Sequence, residues 1–526
     1  MTILDMFKSR LTPLSAVKRT QQFLMTQKTR LKAIAASAKV DETDVKPFKA
    51  VPGPRGIYAV PMLGAALHMK PFSKYTTNTF HLFLDSMHEK YGRSFSMQLL
   101  GQCFVTEDPG AIETIYRNEG KYPRRATLNL FECYAENNDK ERGMAVVNGP
   151  EWHRLRSATQ AFMLKKTSAS VYIDEQVDVA NDLITRMSAT SYTPEEFRDE
   201  LFKYATESIG VVAFNKRLGF LDPKGSAVSS ENQVYLHAIK SFFELMFKDL
   251  GPPLYKLFPT KLYKEFSKVA NEAYGYGRVQ IRELLETVDR QMKDGTFDPE
   301  KPYLILQLLA SPKTTDKSVD AILLDLLTAG TDSTAKNMEI LLLSLALNQD
   351  KQQKLYEEIV KVIGHKGHEL TAEHISNMPY FRACMKESFR LHFPVTFGSL
   401  RILPEDVVVD GYLLPKGTCA FANNRRLLLN SEYFENPKQF LPERWLRDDS
   451  TLKREKEYPA FAFLPFGFGL RNCLGRRFAE QELWLGVTKI IQNFAIEEHE
   501  EENNFEMIYT TFGQVKTLPK FIFTPR

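Results

Sequence analysis

The amino-acid sequence predicts a mainly α-helical fold with a smaller β region. From about residue 76 to residue 363, apolar residues recur at three- and four-residue spacing, which is the period of an amphipathic helix. The stretch VVVDGYLL, residues 407–414, places an Asp-Gly pair between two apolar segments, and this pattern predicts a β-hairpin. With 526 residues and 43% hydrophobic content, the chain can bury a large core.

The first 40 residues have the composition of a mitochondrial transit peptide. They carry eight lysines and arginines against one acidic residue, Asp5, and mix Ser, Thr and Gln with large apolar residues at roughly helical spacing. The alternative is that these 40 residues form a basic surface helix or a tail instead of a transit peptide. Residues 41–64 are rich in proline and glycine and predict a stiff hinge before the main domain, residues 65–526. No run in the sequence reaches the roughly 20 apolar residues that span a bilayer.

Charge and cysteine content argue against two classes of protein. The net charge of +4 is small for this length and does not indicate a nucleic-acid-binding protein. Five cysteines in 526 residues do not make a disulfide framework, and no two of them form a CxxC metal or redox motif. We therefore expect most of the cysteines to be small core residues and at most one to do chemistry.

Residues 318–348 are apolar on most sides and predict a buried central helix. The segment AGTDST, residues 329–334, interrupts this pattern with one glycine and four polar residues. Gly330 costs about 1 kcal/mol against alanine in a helix interior, and a buried unpaired carboxylate costs more. The segment therefore indicates that something fills the missing volume and uses the polar groups. The alternative is a helix break, with Asp332 or Ser333 capping a second helix.

A second helix and a following loop carry charges that can pair. The stretch YFRACMKESFRLHFPV, residues 380–395, predicts a helix that ends before Pro394. Glu387 and Arg390 lie at i,i+3 on one face of this helix and can form an ion pair. The loop-like stretch NPKQFLPERWL, residues 436–446, contributes Arg444.

The stretch FGFGLRNCLG, residues 466–475, surrounds one cysteine with glycines, which let the backbone approach a bulky group. Cys473 is at a loop-to-helix junction, where backbone N–H groups and the helix dipole favour thiolate. Zinc needs three or four clustered ligands, and the sequence has no matching Cys/His cluster. One thiolate is sufficient as the axial ligand of haem iron, where its electron push favours O–O cleavage.

These motifs resemble those of the cytochrome P450 family. FGFGLRNCLG resembles the haem-binding loop F-x-x-G-x-R-x-C-x-G, and WHRLR, residues 152–156, resembles the W-x-x-x-R of the C helix. AGTDST resembles the oxygen-binding groove of the I helix, ESFR the E-x-x-R of the K helix, and PERW its arginine partner. The resemblance covers about residue 48 to the end of the chain. It implies the cytochrome P450 fold, with haem b between the I and L helices and residues 65–526 as the catalytic domain.

The resemblance also implies roles for individual residues at the haem. Cys473 would be the proximal iron ligand, Phe466 would pack over its sulfur, and Ala329 would contact the haem. Residues implied to meet the haem propionates are Trp152, Arg156, Arg401 and Arg471. The implied buried structural triad consists of Glu387, Arg390 and Arg444.

Proton delivery to bound dioxygen is implied for Asp332 and Ser333, with Thr334 beside them. Family members usually have threonine where Ser333 stands. Serine keeps the hydroxyl group but loses a methyl, so its rotamer is less fixed.

Two stretches resemble the mitochondrial branch of the family: NMPYFRACMKESFRL, residues 377–391, and GRRFAEQEL, residues 475–483. In that branch, two basic K-helix residues dock a small acidic, adrenodoxin-like ferredoxin, with ferredoxin reductase and NADPH upstream. The matching positions here lie at i,i+4 on one helix face, and two arginines after the cysteine would extend the basic patch. A solvated charged face is the alternative. The implied docking residues are Arg382, Lys386, Arg476 and Arg477.

Residues 251–266 alternate Leu, Tyr and Phe with lysines, which suits shallow insertion at an anionic membrane face. A surface loop that packs its aromatic residues inward is the alternative. Together with the leader, this pattern indicates a peripheral protein on the matrix side of the mitochondrial inner membrane.

The resemblance implies a monooxygenase that hydroxylates a sterol, steroid, secosteroid or ecdysteroid-like hormone with O2. A xenobiotic-detoxifying monooxygenase of the same branch is one alternative. A haem-thiolate isomerase or dehydratase without a redox partner is another, and a non-catalytic haem or sterol carrier is a third. Predicted pocket residues, taken from position in the fold, are Val395, Thr396, Phe397, Thr511 and Phe512.

Overall fold

The computed structural model of the chain describes residues 45–60, 63–99, 101–165, 167–222, 228–249, 253–299, 301, 303–395, 400–446, 458–499 and 505–526. Over this part the chain is mainly helical with small sheets, as the sequence predicts. The predicted transit peptide, residues 1–40, and two predicted pocket residues, Thr396 and Phe397, lie outside the described residues.

The α-helices of the described residues follow one another in close succession. They are α1 (Leu63–Leu67), α2 (Phe80–Tyr91), α3 (Pro109–Arg117), α4 (Asn129–Asn137), α5 (Gly149–Met163), α6 (Ile173–Ala189), α7 (Pro194–Phe214), α8 (Ser230–Phe247), α9 (Lys261–Lys293), α10 (Leu304–Leu309), α11 (Asp316–Ala346), α12 (Gln349–Val362), α13 (Ala372–Ser376), α14 (Pro379–Leu391), α15 (Asn424–Leu428) and α16 (Arg476–Asn493).

The strands are short and lie mostly in the second half of the chain. They are β1 (Lys46–Pro47), β2 (Ser94–Gln98), β3 (Gln102–Thr106), β4 (Leu400–Ile402), β5 (Val407–Val409), β6 (Tyr412–Leu414), β7 (Cys419–Ala422), β8 (Phe494–Glu498), β9 (Met507–Tyr509), β10 (Gly513–Val515) and β11 (Phe521–Pro525).

The central helix α11 runs through the whole AGTDST segment without a break, so the alternative of two capped helices is wrong. Its 31 residues span about 46 Å at 1.5 Å per residue. A capping box closes its first turn, because Thr315 and Ser318 each donate a backbone N–H to the other's hydroxyl oxygen. Most of its side chains are buried, and it packs against α7 and α16. The predicted buried central helix is therefore confirmed.

Gly330 lies where α11 approaches α7. A Cβ at this position would come 2.8 Å from Cγ1 of Ile209 on α7, which is closer than a real Cβ contact. Ile209 therefore fills the volume that the glycine leaves, and the close approach of two helices explains this glycine. The preceding residue, Ala329, is exposed although most of the helix is buried, so α11 meets an open space on the Ala329 side.

The strands form a mixed sheet, a predicted hairpin and two C-terminal ribbons. The mixed sheet has the order β2-β3-β7-β4, in which β3 and β7 are parallel and the other pairs are antiparallel. The hairpin predicted from the Asp-Gly signal is confirmed: Val407 pairs with Leu414, and both turn residues have positive φ, +51° at Asp410 and +75° at Gly411. The C-terminal ribbons are β8 with β11 and β9 with β10.

Residues 45–60, the greater part of the predicted hinge, pack into the body of the protein. Strand β1 pairs in parallel with β6, and Phe48 and Val51 are buried in a cluster with β-sheet residues. Gly53 passes so close to β2 that a Cβ there would lie 2.1 Å from the carbonyl oxygen of Ser96. In the described part of the chain, none of the helices has the length and apolar character needed to cross a membrane.

Candidate active site: a cysteine loop, an arginine cluster and the α11 groove

The loop that carries Cys473 is shaped by two glycines and closed by its own backbone. Gly467 and Gly469 have φ of +72° and +71°, a conformation that favours glycine. The Cys473 N–H donates to the carbonyl oxygen of Phe466 at 2.7 Å, which ties the two ends of the loop together. Gly475 then caps α16, so the cysteine lies just before a helix N-terminus, as the sequence predicts.

Cys473 differs from the other cysteines of the chain in its exposure. Cys473 is exposed, whereas the other four cysteines are buried. Surrounding protein nevertheless raises the pKa of the free thiol through loss of hydration, and this effect outweighs the Gly475 N–H and the nearby positive charge of Arg156. The protein alone therefore does not favour the thiolate form of Cys473, contrary to the expectation from the sequence. A coordinated metal cation would favour that form. Phe466 packs edge-on against Phe389, with ring centroids 5.6 Å apart.

Arg471 belongs to a group of buried and half-buried arginines beside this loop. Its guanidinium lies 4.3 Å from the ring centroid of Trp152. Its Nε donates to the Pro123 carbonyl and its Nη2 to the side-chain oxygen of Asn148, each at 2.8 Å. The structure thus brings together Trp152 and Arg471, which the sequence analysis assigned to the haem propionates.

Arg125, which the sequence analysis missed, joins Arg156 and Arg401 around Arg471. Arg125 donates to the Arg471 carbonyl at 3.2 Å, and Arg156 donates to the side chain of Asn472. Burial, followed by repulsion from neighbouring arginines, lowers the pKa of Arg471 to about 9 and that of Arg125 to about 10. Burial also lowers the pKa of Arg156 to about 10.

The arginine cluster has more positive charge than its protein partners balance. In the described part of the chain, Nε of Arg125, Nε of Arg156 and Nη1 of Arg471 are buried without a hydrogen-bond partner. Glu119 pairs with Arg401 at 2.6 Å, and burial raises the pKa of this carboxyl group. Buried guanidinium groups need anionic partners. The cluster therefore fits the two propionates of haem b, next to a cysteine that could ligate its iron.

The predicted proton-delivery residues lie on different sides of α11. Ser333 lies one turn after Ala329, on the side of the open space, and its hydroxyl donates to the Ala329 carbonyl at 2.7 Å. Asp332 is fully buried, and both of its carboxylate oxygens lie 2.9 Å from Nζ of Lys336. Burial raises the pKa of Asp332, while Lys336 opposes this shift. Lys336 is an ion-pair partner that the sequence analysis did not identify.

Thr334 points to the other side, towards α16. Its hydroxyl donates to Oε2 of Glu482 at 3.2 Å, and Nε2 of Gln176 approaches the other carboxyl oxygen at 3.4 Å. Burial raises the pKa of Glu482 to about 8. Because neutral polar groups surround it, Glu482 keeps its proton at neutral pH and links α11 to the helix that follows Cys473.

The implied structural triad is in mutual contact and fully buried. Glu387 accepts two hydrogen bonds from Arg390, at 2.8 and 2.9 Å, and one from Nε of Arg444 at 3.0 Å. Nε1 of Trp445 donates to the same carboxylate at 2.9 Å, a partner that the sequence analysis missed although it follows Arg444 directly. The cluster joins α14 to the 442–445 turn.

The implied docking residues differ in exposure and in ion pairing. Arg382 is exposed on α14, whereas Lys386 is half-buried with its ammonium group 5.4 Å from the centroid of a tryptophan ring. Arg476 and Arg477 lie 2.8 and 3.6 Å from the carboxylate of Glu480, which partly offsets their charge.

The described pocket residues come together from two distant segments. Val395, after α14, forms a β-bridge with Phe512, which lies between β9 and β10. The Phe512 ring is 5.3 Å from that of Phe243 on α8, and the Thr511 hydroxyl donates to the Phe243 carbonyl at 3.3 Å. Nζ of Lys336 lies 6.0 Å from the Phe512 ring, so this cluster borders α11.

Comparison with known proteins places these features in one family. The cytochrome P450 family model matches residues 54–523. The chain is 32% identical to "Probable cytochrome P450 49a1" of Drosophila melanogaster over 88% of this chain and 80% of that protein. It is 30% identical to "Probable cytochrome P450 12a5, mitochondrial" of the same species over 86% and 88%. It is 29% identical to "Cytochrome P450 CYP12A2" of Musca domestica over 94% and 95%. The chain belongs to the cytochrome P450 family of haem-b-binding monooxygenases.

Proposed function

We propose that this monooxygenase works in mitochondria and hydroxylates an apolar substrate. One oxygen atom of O2 enters a C–H bond and the other leaves as water, with electrons from NADPH through ferredoxin reductase and ferredoxin. The observation that carries the proposal is the exposed Cys473 beside Arg125, Arg156 and Arg471, each of which has, among the described residues, a buried nitrogen without a hydrogen-bond partner. The composition of residues 1–40 and relatives whose names include "mitochondrial" support the location.

When bound, haem b supplies the chemistry that activates dioxygen. Sγ of Cys473 would hold the iron, and Arg125, Arg156 and Arg471 would hold the propionates by charge-assisted hydrogen bonds. Ser333 lies on the Ala329 side of α11, where its Oγ would hold and pass a proton. Asp332 would supply that proton from its buried pair with Lys336.

The exposed face of α14 supports ferredoxin docking. Arg382 and Lys386 lie one helical turn apart, and Arg476 and Arg477 begin the helix that follows Cys473. A basic surface close to the iron ligand would steer an acidic ferredoxin to a short electron-transfer path.

An apolar ring cluster at the pocket supports a sterol, steroid, secosteroid or ecdysteroid-like substrate. Phe243 and Phe512 supply aromatic faces, and Val395 supplies a branched aliphatic surface. Such a surface binds large apolar ligands with few polar contacts.

Exposed apolar residues before α9 support peripheral contact with the matrix face of the inner membrane. Leu257 is 82% exposed and Phe258 is 54% exposed, while Lys256 and Lys261 flank them. Apolar side chains beside lysines favour shallow insertion among anionic lipids. Tyr255, by contrast, is buried and donates to Asp249 at 2.6 Å, so one aromatic residue of the segment packs inward.

The test is a reconstituted assay on haem-loaded protein. A panel of sterols, steroids and xenobiotics is titrated for the substrate-induced blue shift of the Soret band, and each binder is then incubated with ferredoxin reductase, ferredoxin and NADPH. We expect steroid-class ligands to give the shift and a hydroxylated product. Shifts confined to xenobiotics would contradict the substrate class, and turnover without ferredoxin would contradict the electron route.

Docking is tested separately with Arg382→Ala combined with Lys386→Ala. We expect ferredoxin-driven turnover to fall about tenfold or more while peroxide-driven turnover is unchanged, because only the former needs the partner. Lys268→Ala combined with Lys293→Ala, two exposed positions on α9, is the matched control. An equal loss in both assays would remove the docking role.

A further inference from the structure

Glu119 lies against both the arginine cluster and the loop that carries Cys473. It follows α3, and only 7% of its surface is exposed. Its Oε2 accepts a hydrogen bond from Nε of Arg401 on β4 at 2.6 Å. A Cβ at Gly469 would lie 2.3 Å from Oε1 of Glu119, so the carboxylate touches the loop four residues before Cys473. One buried carboxylate thus contacts two parts of the haem site, although the sequence motifs assign it no role.

Arg401 differs from the other arginines of the cluster in its partners. Besides its bond to Glu119, its Nη1 donates to the Leu400 carbonyl at 3.0 Å, and its guanidinium carbon lies 4.8 Å from the ring centroid of Tyr116. Among the described residues, the other three arginines donate to carbonyl and side-chain amide oxygens, which carry no net charge. Glu119 therefore balances the charge of Arg401 and leaves three guanidinium groups for the propionates.

The net charge of the cluster depends on Glu119. Burial, followed by repulsion from three neighbouring arginines, lowers the pKa of Arg471, and the negative charge of Glu119 opposes that shift. Four guanidinium groups and one carboxylate leave three positive charges, of which the two propionates of haem b would balance two. Without Glu119, two positive charges would remain beside the haem instead of one.

The contacts of Glu119 favour its ionised form. Burial raises the pKa of its carboxyl group, whereas Arg401 and the backbone N–H of Leu470 oppose this shift. Because a guanidinium group stays charged at ordinary pH, the ion pair at 2.6 Å keeps the carboxylate ionised. Reduction adds one electron to the haem iron, and a nearby negative charge makes that addition less favourable. A carboxylate at this place therefore lowers the reduction potential of the iron.

We propose that Glu119 is a positioning residue of the haem site, which holds Arg401 beside the loop that carries Cys473 and lowers the reduction potential of the haem iron through its charge. The inference goes beyond the proposed function, because it holds for any substrate and any electron donor. Its test needs no turnover, so a failure of the proposed substrate class or electron route leaves it intact.

The experiment is a redox titration of the haem-loaded protein without substrate, together with its haem content and carbon monoxide spectrum. Glu119→Gln keeps the size of the side chain and an oxygen that accepts from Arg401, but removes the negative charge. At the midpoint potential of the unchanged protein, we expect the ferrous-to-ferric ratio of this variant to be about three- to tenfold higher. A tenfold change corresponds to a shift of about 59 mV to higher potential for a one-electron couple.

Two further variants separate the effect of charge from that of shape. Glu119→Gln combined with Arg401→Gln removes one charge of each sign, so its midpoint potential should return towards that of the unchanged protein. Glu200→Gln is the matched control, because Glu200 is another buried carboxylate but its ion pairs, with Arg186 and Lys203, involve no residue of the arginine cluster. It should leave the midpoint potential unchanged.

Three results would overturn the inference. An unchanged midpoint potential in Glu119→Gln means that Glu119 does not act on the iron. An equal shift in Glu200→Gln means that the loss of any buried carboxylate has this effect. A larger shift in the double variant than in Glu119→Gln means that disrupted packing, not charge, is the cause.

A fourth variant covers the case in which Glu119→Gln does not retain haem. Glu119→Asp keeps the charge with one methylene group less, and it should retain haem and the midpoint potential of the unchanged protein. Loss of haem in Glu119→Asp as well would make Glu119 a packing residue only and would also overturn the inference.

Discussion

Single side chains at the haem site carry charges that the protein alone leaves unbalanced. Among the described residues, Arg125, Arg156 and Arg471 each have a buried nitrogen without a hydrogen-bond partner, and burial followed by repulsion from neighbouring arginines lowers the pKa of Arg471. The thiol of Cys473 has a raised pKa for the related reason that it has lost hydration. An iron porphyrin with two propionates would offset both effects. Its metal stabilises the thiolate form of Cys473, and its carboxylates pair with the guanidinium groups.

Replacing Cys473 tests the ligand directly. Reduced protein in carbon monoxide should give the long-wavelength Soret band of thiolate-ligated haem, and Cys473→Ala should abolish it, because the other four cysteines are buried. Cys419→Ala, which removes a buried thiol in β7, is the control and should keep the band. Survival of the band in Cys473→Ala would show that another group ligates the iron.

The raised pKa of Glu482 makes the free energy of unfolding decrease as the pH rises. Its folded pKa of about 8 lies above the ordinary 4.5, so the folded state holds a proton that the unfolded state releases between these values. Its contribution to stability is therefore fully present below about pH 4.5 and is lost as the pH rises through about 8, a change on the order of 5 kcal/mol.

Glu482→Gln should remove that dependence. We expect the variant to gain thermal stability relative to the unchanged protein when the pH is raised from 5 to 8, measured as the difference between their unfolding midpoints at each pH. Glu480→Gln, a more exposed position on the same helix, should show no such change. A constant difference for Glu482→Gln across this range would contradict the buried, protonated state.

At the scale of elements, two contacts fix the parts of the site relative to each other. Gly330 lets α11 approach α7, which orients the Ala329 side of the helix towards the open space. The Glu387 carboxylate accepts hydrogen bonds from α14 and from the 442–445 turn. Removing one partner of a buried ion pair is destabilising, because the other charge remains buried.

Gly330→Ala tests the helix approach. Alanine gains about 1 kcal/mol of helix propensity, but its Cβ would meet Ile209 at 2.8 Å, and overpacking costs about 1–3 kcal/mol. We expect a net loss of stability, measured by thermal unfolding. The loss should shrink or reverse in an Ile209→Ala background, where the clashing atoms are gone. An equal loss in both backgrounds would rule out this contact as the cause.

For the whole molecule, the N-terminal segment is part of the fold from residue 45 onward. Strand β1 pairs with β6, and Phe48 and Val51 are buried beside the mixed sheet. The proline and glycine content of this segment reflects turns and one close approach to β2 at Gly53. Phe48, Val51 and Gly53 therefore contribute contacts to the folded body, and the division into a hinge over residues 41–64 and a main domain over residues 65–526 stays a prediction.

Truncation tests the predicted transit peptide and the packing of residues 45–60 separately. Removal of residues 1–44 should leave the carbon monoxide spectrum and the unfolding midpoint unchanged. Removal of residues 1–64 should lower the midpoint, because two buried side chains and the pairing of β1 are lost, at about 1.5–3 kcal/mol for each large apolar side chain. Equal midpoints for the two truncated proteins would contradict the packing of residues 45–60.

The sequence by itself determined the features whose chemistry lies within one short segment. The Cys473 loop, a buried central helix and the Asp-Gly hairpin depend on local spacing, glycine conformation and hydrophobic period, so they can be read from adjacent residues. The structure decided that the central helix continues through AGTDST without a break. Only the tertiary structure decided which side chains complete the site. Arg125 meets Arg471 across 346 positions and Thr334 meets Glu482 across 148. Such contacts arise when separate helices and loops pack together, and spacing along the chain does not encode them.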